Sequence, residues 1–173
     1  MNAPLLILAI GNPSRGDDAL GPLLLERLHA HGVDADGQVE LLTDFQLQVE
    51  HTLDLLGRSA VLFVDAARPG SVQAAHIAAL EPLHQPPTAS HALDARALLG
   101  VACRLHASAP PSWMLAIEGT SFGLGEALSR SARQHLETAC TLAQAWVSER
   151  LNAPAQEAAT ATQRTQAMPG GGA

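Results

Sequence analysis

Three residues of this chain have the types and the placement to do metal or hydrolytic chemistry: Asp18, Asp65 and His91. Asp18 lies in GNPSRGDDALGP, residues 11–22, directly after an apolar run; Asp65 ends a second run, VLFVD; His91 opens a helix-like stretch after the loop QPPTAS. Two carboxylates and one imidazole, with water completing the shell, make an open site for a borderline divalent cation such as Zn²⁺ or Ni²⁺, and one too rich in nitrogen to prefer Mg²⁺. Each residue also has a plain structural use. Asp17 and Asp18 can cap a helix or complement its dipole, Asp65 can hold a strand-end turn, and His91 can sit solvated in a first helical turn.

Whether these groups meet depends on the elements that carry them. Residues 5–11 (LLILAIG) read as a strand buried on both faces. Leu20, Leu23, Leu24, Arg27 and Leu28 then keep helical spacing as far as Gly32. A second strand is expected over 39–45, a helix from Leu47 to Leu56 closed by Gly57, and a third strand over 60–67 (AVLFVDAA). Residues 73–80 can form a further strand, and Ser90 is placed to cap a helix from His91 to about Cys103. WMLAIEG, residues 113–119, reads as another buried strand. A last helix is expected from about Glu126 to Leu151, with the stripe Leu128, Ala132, Leu136, Ala139, Leu142 and Trp146. This alternation predicts an α/β fold of three layers, a mostly parallel twisted sheet with helices on both faces, in one domain over residues 1–151. Residues 152–173 lose apolar periodicity and read as a disordered tail. If the first and third strands are neighbours, Asp18 and Asp65 share one sheet edge, beyond the carboxyl ends of the strands.

Other chemistries fit less well. The glycines of the first turn fall at 11, 16 and 21, not in the G-x-G-x-x-G pattern, and Asp17 and Asp18 would repel a pyrophosphate. A P-loop needs a lysine, and all ten cations of the 173-residue chain are arginines. No nucleotide is therefore expected. Gly119-Thr120-Ser121-Phe122-Gly123 matches the nucleophile elbow G-x-S-x-G, but the one later histidine, His135, falls inside a helical pattern. A net charge of −7 without a basic run argues against nucleic acid or an anionic membrane as partner. Cys103 and Cys140 have neither disulfide-framework nor zinc-site spacing, which suits a reducing cytoplasm. The apolar N-terminal run lacks a basic flank and a cleavage site, and reads as a strand, not a signal.

Taken in order, GNPSRGDDALGP after the first strand, FVDAA at the third, SHAL before a helix and MLAIEG at a late strand resemble the maturation endopeptidases of [NiFe]-hydrogenases. The resemblance covers roughly residues 5–150. It implies an α/β protein that removes a C-terminal extension from the hydrogenase large-subunit precursor after nickel insertion. Carried over, Asp18, Asp65 and His91 are the catalytic and metal-binding set, and the metal is the nickel of the precursor. Aspartate at position 18 replaces the glutamate of some members, and Asp44 can also face the cleft. Two chemistries stay open. Metal can polarise the scissile carbonyl and activate water; or nickel is a recognition mark and carboxylates such as Asp17, Asp18 or Asp65 act, an aspartic-type endopeptidase. A monomer is expected, because the cleft must admit a large folded partner. A non-catalytic metal-sensing module or chaperone for the precursor would use the same ligands.

Overall fold

The computed structural model describes residues 2–83 and 93–166, with the side chains of the last helix as far as residue 152. Five strands form one sheet in the order β2-β1-β3-β5-β4: β1 (Leu5–Ile10), β2 (Val39–Asp44), β3 (Ala60–Ala67), β4 (Ala75–Leu80) and β5 (Ser112–Glu118). The first, second, third and fifth strands run parallel, and β4 pairs antiparallel to β5 at one edge. Leu5 pairs with Ala60 and Ala9 with Val64, so β1 and β3 are neighbours, as the active-edge argument required.

Each central strand splits its side chains between two cores, as the period of two dictates. Leu5, Ile7 and Ala9 of β1, with Leu62 and Val64 of β3, pack under α1 (Leu20–Ala30) and α3 (Arg130–Gln166). Leu6, Leu8, Val61 and Phe63 face α2 (Ala95–His106) on the other side. The result is three layers with helices on both faces of a mostly parallel sheet. Since the chain leaves β1 for one sheet edge and reaches β3 on its other side, the strand order reverses between β1 and β3. Their carboxyl ends form the crevice in which such sheets carry ligands.

Three expected elements differ. The helix over Leu47–Leu56 is only a 3-10 turn, Val49–Thr52, because this stretch buries only His51, Thr52 and Leu55. Val49, Leu53 and Leu56 stay exposed, so no apolar face pulls it into a longer helix. The second helix starts at Ala95 rather than His91, capped by Asp94, whose Oδ1 accepts from the Ala97 N–H at 2.7 Å. Ser90, expected as its cap, lies outside the described residues. Helix α3 begins at Arg130 rather than Glu126, because Ser129 Oγ accepts from the Ala132 N–H at 3.2 Å and caps it. Its stripe packs as expected, with Ala132, Leu136, Ala139 and Trp146 buried. Past Leu151, where the stripe ends, the backbone stays helical to Gln166, in keeping with the alanine content of that segment. Among the described residues no helix is long and apolar enough to cross a membrane.

Candidate functional site

The turn after β1 is built by close approach. A side chain at Gly11 (φ +152°) would meet the Asp18 carbonyl oxygen at 2.0 Å, and one at Gly16 (φ +53°) would meet the Ser121 carbonyl oxygen at 2.5 Å. At Gly21 it would meet the Ile10 carbonyl oxygen at 2.7 Å. These glycines therefore let a 3-10 turn, Gly16–Ala19, lie flat against the end of β1 and the loop after β5. That turn gives the two acids different surroundings.

Asp17 points inward and is 0% exposed. Its Oδ2 accepts from the Thr120 N–H at 2.7 Å, the Ser121 N–H at 3.0 Å and the Ser129 hydroxyl at 2.7 Å; its Oδ1 accepts from the Ser129 N–H at 2.7 Å. Burial alone would raise its pKa, but these donors outweigh burial and hold it below the ordinary carboxylate value. A carboxylate bound by four donors at the N-terminus of α3 and closed off from solvent is a structural anion that cannot reach substrate. Asp17 is thereby removed from the candidate acids and bases.

Asp18 is half-buried, with Oδ2 accepting from the Asn12 N–H at 2.9 Å, and is close enough to Asp65 for its charge to act there. Asp65, at the end of β3, is half-buried on the α2 side of the sheet. Burial pushes its carboxyl up to about 6; the Ala66 N–H works the other way, and the nearby charge of Asp18 adds to the rise. The two aspartates picked out by spacing thus share one electrostatic site. A cavity of about 220 Å³ opens beside Asp65, lined by Ile10, Phe63, Leu93 and Met114 together with Gln46 and Asp94. The third expected member, His91, lies outside the described residues. Among the described residues no three His, Cys, Asp or Glu gather closely enough to hold a metal ion.

Asp44 ends β2 beside β1, where the Gly11 N–H donates to its carbonyl at 3.0 Å. Its carboxylate accepts from the Phe45 N–H at 2.6 Å and lies 3.3 Å from Nε2 of His51. His51 Nδ1 accepts from the Gln48 N–H at 2.9 Å, which leaves Nε2 to donate to Asp44. His51 is thus a buried histidine with a carboxylate partner. The serine elbow has no catalytic geometry: the Ser121 hydroxyl is bound to Glu126, and the His135 ring contacts the Glu118 carbonyl at 2.8 Å. The role of Asp17 was missed because its donors lie more than a hundred residues away; the only local trace is the paired hydroxyl residues Thr120 and Ser121 after a strand.

Fold and site together define an α/β protein with two coupled carboxylates at the switch point of its sheet. No family model matches the chain, and no curated protein matches it. Solved structures do. The [NiFe] hydrogenase maturation protease HycI from Thermococcus kodakarensis KOD1 is similar at 24% identity, over 84% of this chain and 91% of that one, with a TM-score of 0.61. The hydrogenase maturating endopeptidase HybD from E. coli matches at 18% identity over 87% and 94%, with a TM-score of 0.63. The [NiFe] hydrogenase maturation protease HybD from Thermococcus kodakarensis matches at 19% identity over 85% and 99%, with a TM-score of 0.64. At identities of 18–24% this likeness establishes the shared fold.

Proposed function

We propose that the chain is a [NiFe]-hydrogenase maturation endopeptidase, which removes the C-terminal extension of a hydrogenase large-subunit precursor once nickel is in place. The observation that carries this reading is the pair Asp18 and Asp65. Two residues 47 positions apart, singled out by motif, lie at the ends of neighbouring strands, Asp18 in the turn that follows β1 and Asp65 in β3, and the charge of Asp18 adds to the rise of the Asp65 carboxyl. The order of the four sequence motifs and the fold shared with the maturation proteases support the same reading.

In this reading the metal is part of the substrate. Asp18, Asp65 and His91 supply two oxygens and one nitrogen, a donor set matched to a borderline divalent ion such as the nickel of the precursor. Where nickel is a recognition mark held by Asp18 and His91, Asp65 is left free of it, and its carboxyl, pushed up to about 6 by burial, is mostly ionised at neutral pH yet readily protonated, the property wanted in a general base. It takes a proton from water as the water oxygen adds to the scissile carbonyl, and returns that proton to the departing amine as the C–N bond breaks. The large folded precursor is the partner, the enzyme acts as a monomer in the cytoplasm, and no nucleotide takes part.

The test is incubation of the purified protein with nickel-loaded and nickel-free large-subunit precursor, following the C-terminal extension by intact mass. Loss of the extension from the loaded precursor alone is expected. Stable binding with the extension intact, across several precursors, would overturn the enzyme reading in favour of a metal-sensing binding module.

A further inference from the structure

The two acids of the first turn are adjacent in sequence, yet Asp17 is fully buried while Asp18 is half-buried and its charge reaches Asp65. Asp17 is enclosed by the Thr120–Ser129 segment, and the contact is reciprocal. The Asp17 N–H donates to the Ser121 carbonyl at 2.7 Å, and the Gly16 N–H donates to the Glu126 carbonyl at 3.2 Å. The Gly125 N–H donates to the Ser14 carbonyl at 2.8 Å. A side chain at Gly119 would meet Asp17 Cβ at 2.7 Å, so the two segments interlock with no space between them. Ser129, which gives Asp17 both its N–H and its hydroxyl, is also the cap of α3. One buried carboxylate therefore fastens the turn to the loop after β5 and to the start of the longest helix. Backbone torsion at position 17 passes directly to position 18, and the Asp18 side chain has one described hydrogen bond of its own, from the Asn12 N–H.

We propose that Asp17 is a positioning residue for Asp18: it locks the 3-10 turn against the 119–129 loop and so holds the Asp18 carboxylate in the crevice beside Asp65. This rests on the endopeptidase reading for its catalytic consequence, though not for its structural one. Asp17 touches neither substrate nor metal. Removing its charge frees the turn to rotate, and displacement of a reacting group by about 1 Å is enough to cost about a hundredfold in rate.

The experiment compares the parent with Asp17→Asn and Ser129→Ala by two measurements: cleavage kinetics on the nickel-loaded precursor, and site-resolved amide hydrogen exchange by NMR. Asp17→Asn is expected to lower kcat about a hundredfold with KM changed less than about threefold, because substrate binding surfaces are untouched while the reacting group is displaced. Ser129→Ala, which removes one donor, should lower kcat by a smaller factor in the same direction, and serves if Asp17→Asn does not fold. In both variants exchange should quicken at Thr120 and Ser121, and also at Asn12, whose amide reports the placement of Asp18 alone. Faster exchange at Thr120 and Ser121 with Asn12 protected and kcat unchanged would overturn the proposal and leave Asp17 a brace of the loop. If the parent cleaves no precursor, the endopeptidase reading falls, and the Asn12 amide by itself then decides whether Asp17 positions Asp18.

Discussion

Asp17 and Asp65 are both carboxylates drawn out of water near the same sheet edge, and their surroundings drive them in opposite directions. Around Asp17 the loop after β5 converges four donors within 3.0 Å, so burial is more than compensated and the charge is held firmly. Around Asp65 burial dominates, only the Ala66 N–H works against it, and the like charge of Asp18 adds to it, so the carboxyl rises to about 6. One carboxylate has its partners supplied; the other is left short of them. Separation of titratable groups by environment is how acid and base roles are assigned at neutral pH.

The largest effect that sharpens this contrast is on cleavage. Asp18→Ala, Asp65→Ala and His91→Ala should each lower kcat by about 10²–10⁴, the range for loss of a positioned proton carrier, with the fold intact by circular dichroism. Wild-type turnover by Asp65→Ala would place the chemistry elsewhere. Next comes pH. If ionised Asp65 is required, cleavage in the parent should fall about tenfold per unit as pH drops below about 6. A profile flat from pH 7 to 5 would remove Asp65 as base.

Stability should separate the two acids by sign. Asp17 has a lowered pKa in the folded state, so its contribution is present above the unfolded value of 3.8 and is lost as pH falls through the folded value. Asp17→Asn should accordingly cost about 1–3 kcal/mol at pH 7, the penalty for stranding buried donors. Asp65 has a raised pKa, so the parent loses stability as pH climbs from 3.8 to about 6. Asp65→Asn should then melt above the parent at pH 8 and converge with it below pH 4. Thermal melts of both variants across pH 3–8 check this, and a shift of the same sign for both at pH 8 would break the comparison. The smallest effect belongs to Asp94, an ordinary cap with one amide to satisfy: Asp94→Ala should cost about 1 kcal/mol, read as a fall in Tm of about 2–4 °C.

Much of this architecture was legible in the sequence because buried parallel strands announce themselves. LLILAI and AVLFV have almost no polar interruption, and both were placed within a residue of where they lie. The last helix was equally plain from its stripe. The segment after β2 was not, since Leu47, Leu53, Leu55 and Leu56 offer enough apolar residues for a helix while the fold buries only Leu55 among them. Both helix starts were read about one turn early, at His91 for α2 and at about Glu126 for α3, where the structure has Ala95 and Arg130. Which residue caps depends on where the preceding loop is tied down, by Asp94 in one case and by Asp17 through Ser129 in the other.

The sequence by itself determined the class of fold and made Asp18, Asp65 and His91 the candidates. Those follow from hydrophobic period, turn residues and chemical type, all of which are local. It could not divide the work between Asp17 and Asp18. Adjacent, chemically identical residues differ only in what the folded chain brings to them, and the donors that claim Asp17 come from residues 120–129, joined to it only when β5 and α3 dock on the sheet. Tertiary structure made one aspartate a rivet and left its neighbour half-buried with its charge reaching Asp65, because hydrogen-bond saturation and desolvation are properties of the packed chain and not of the residue.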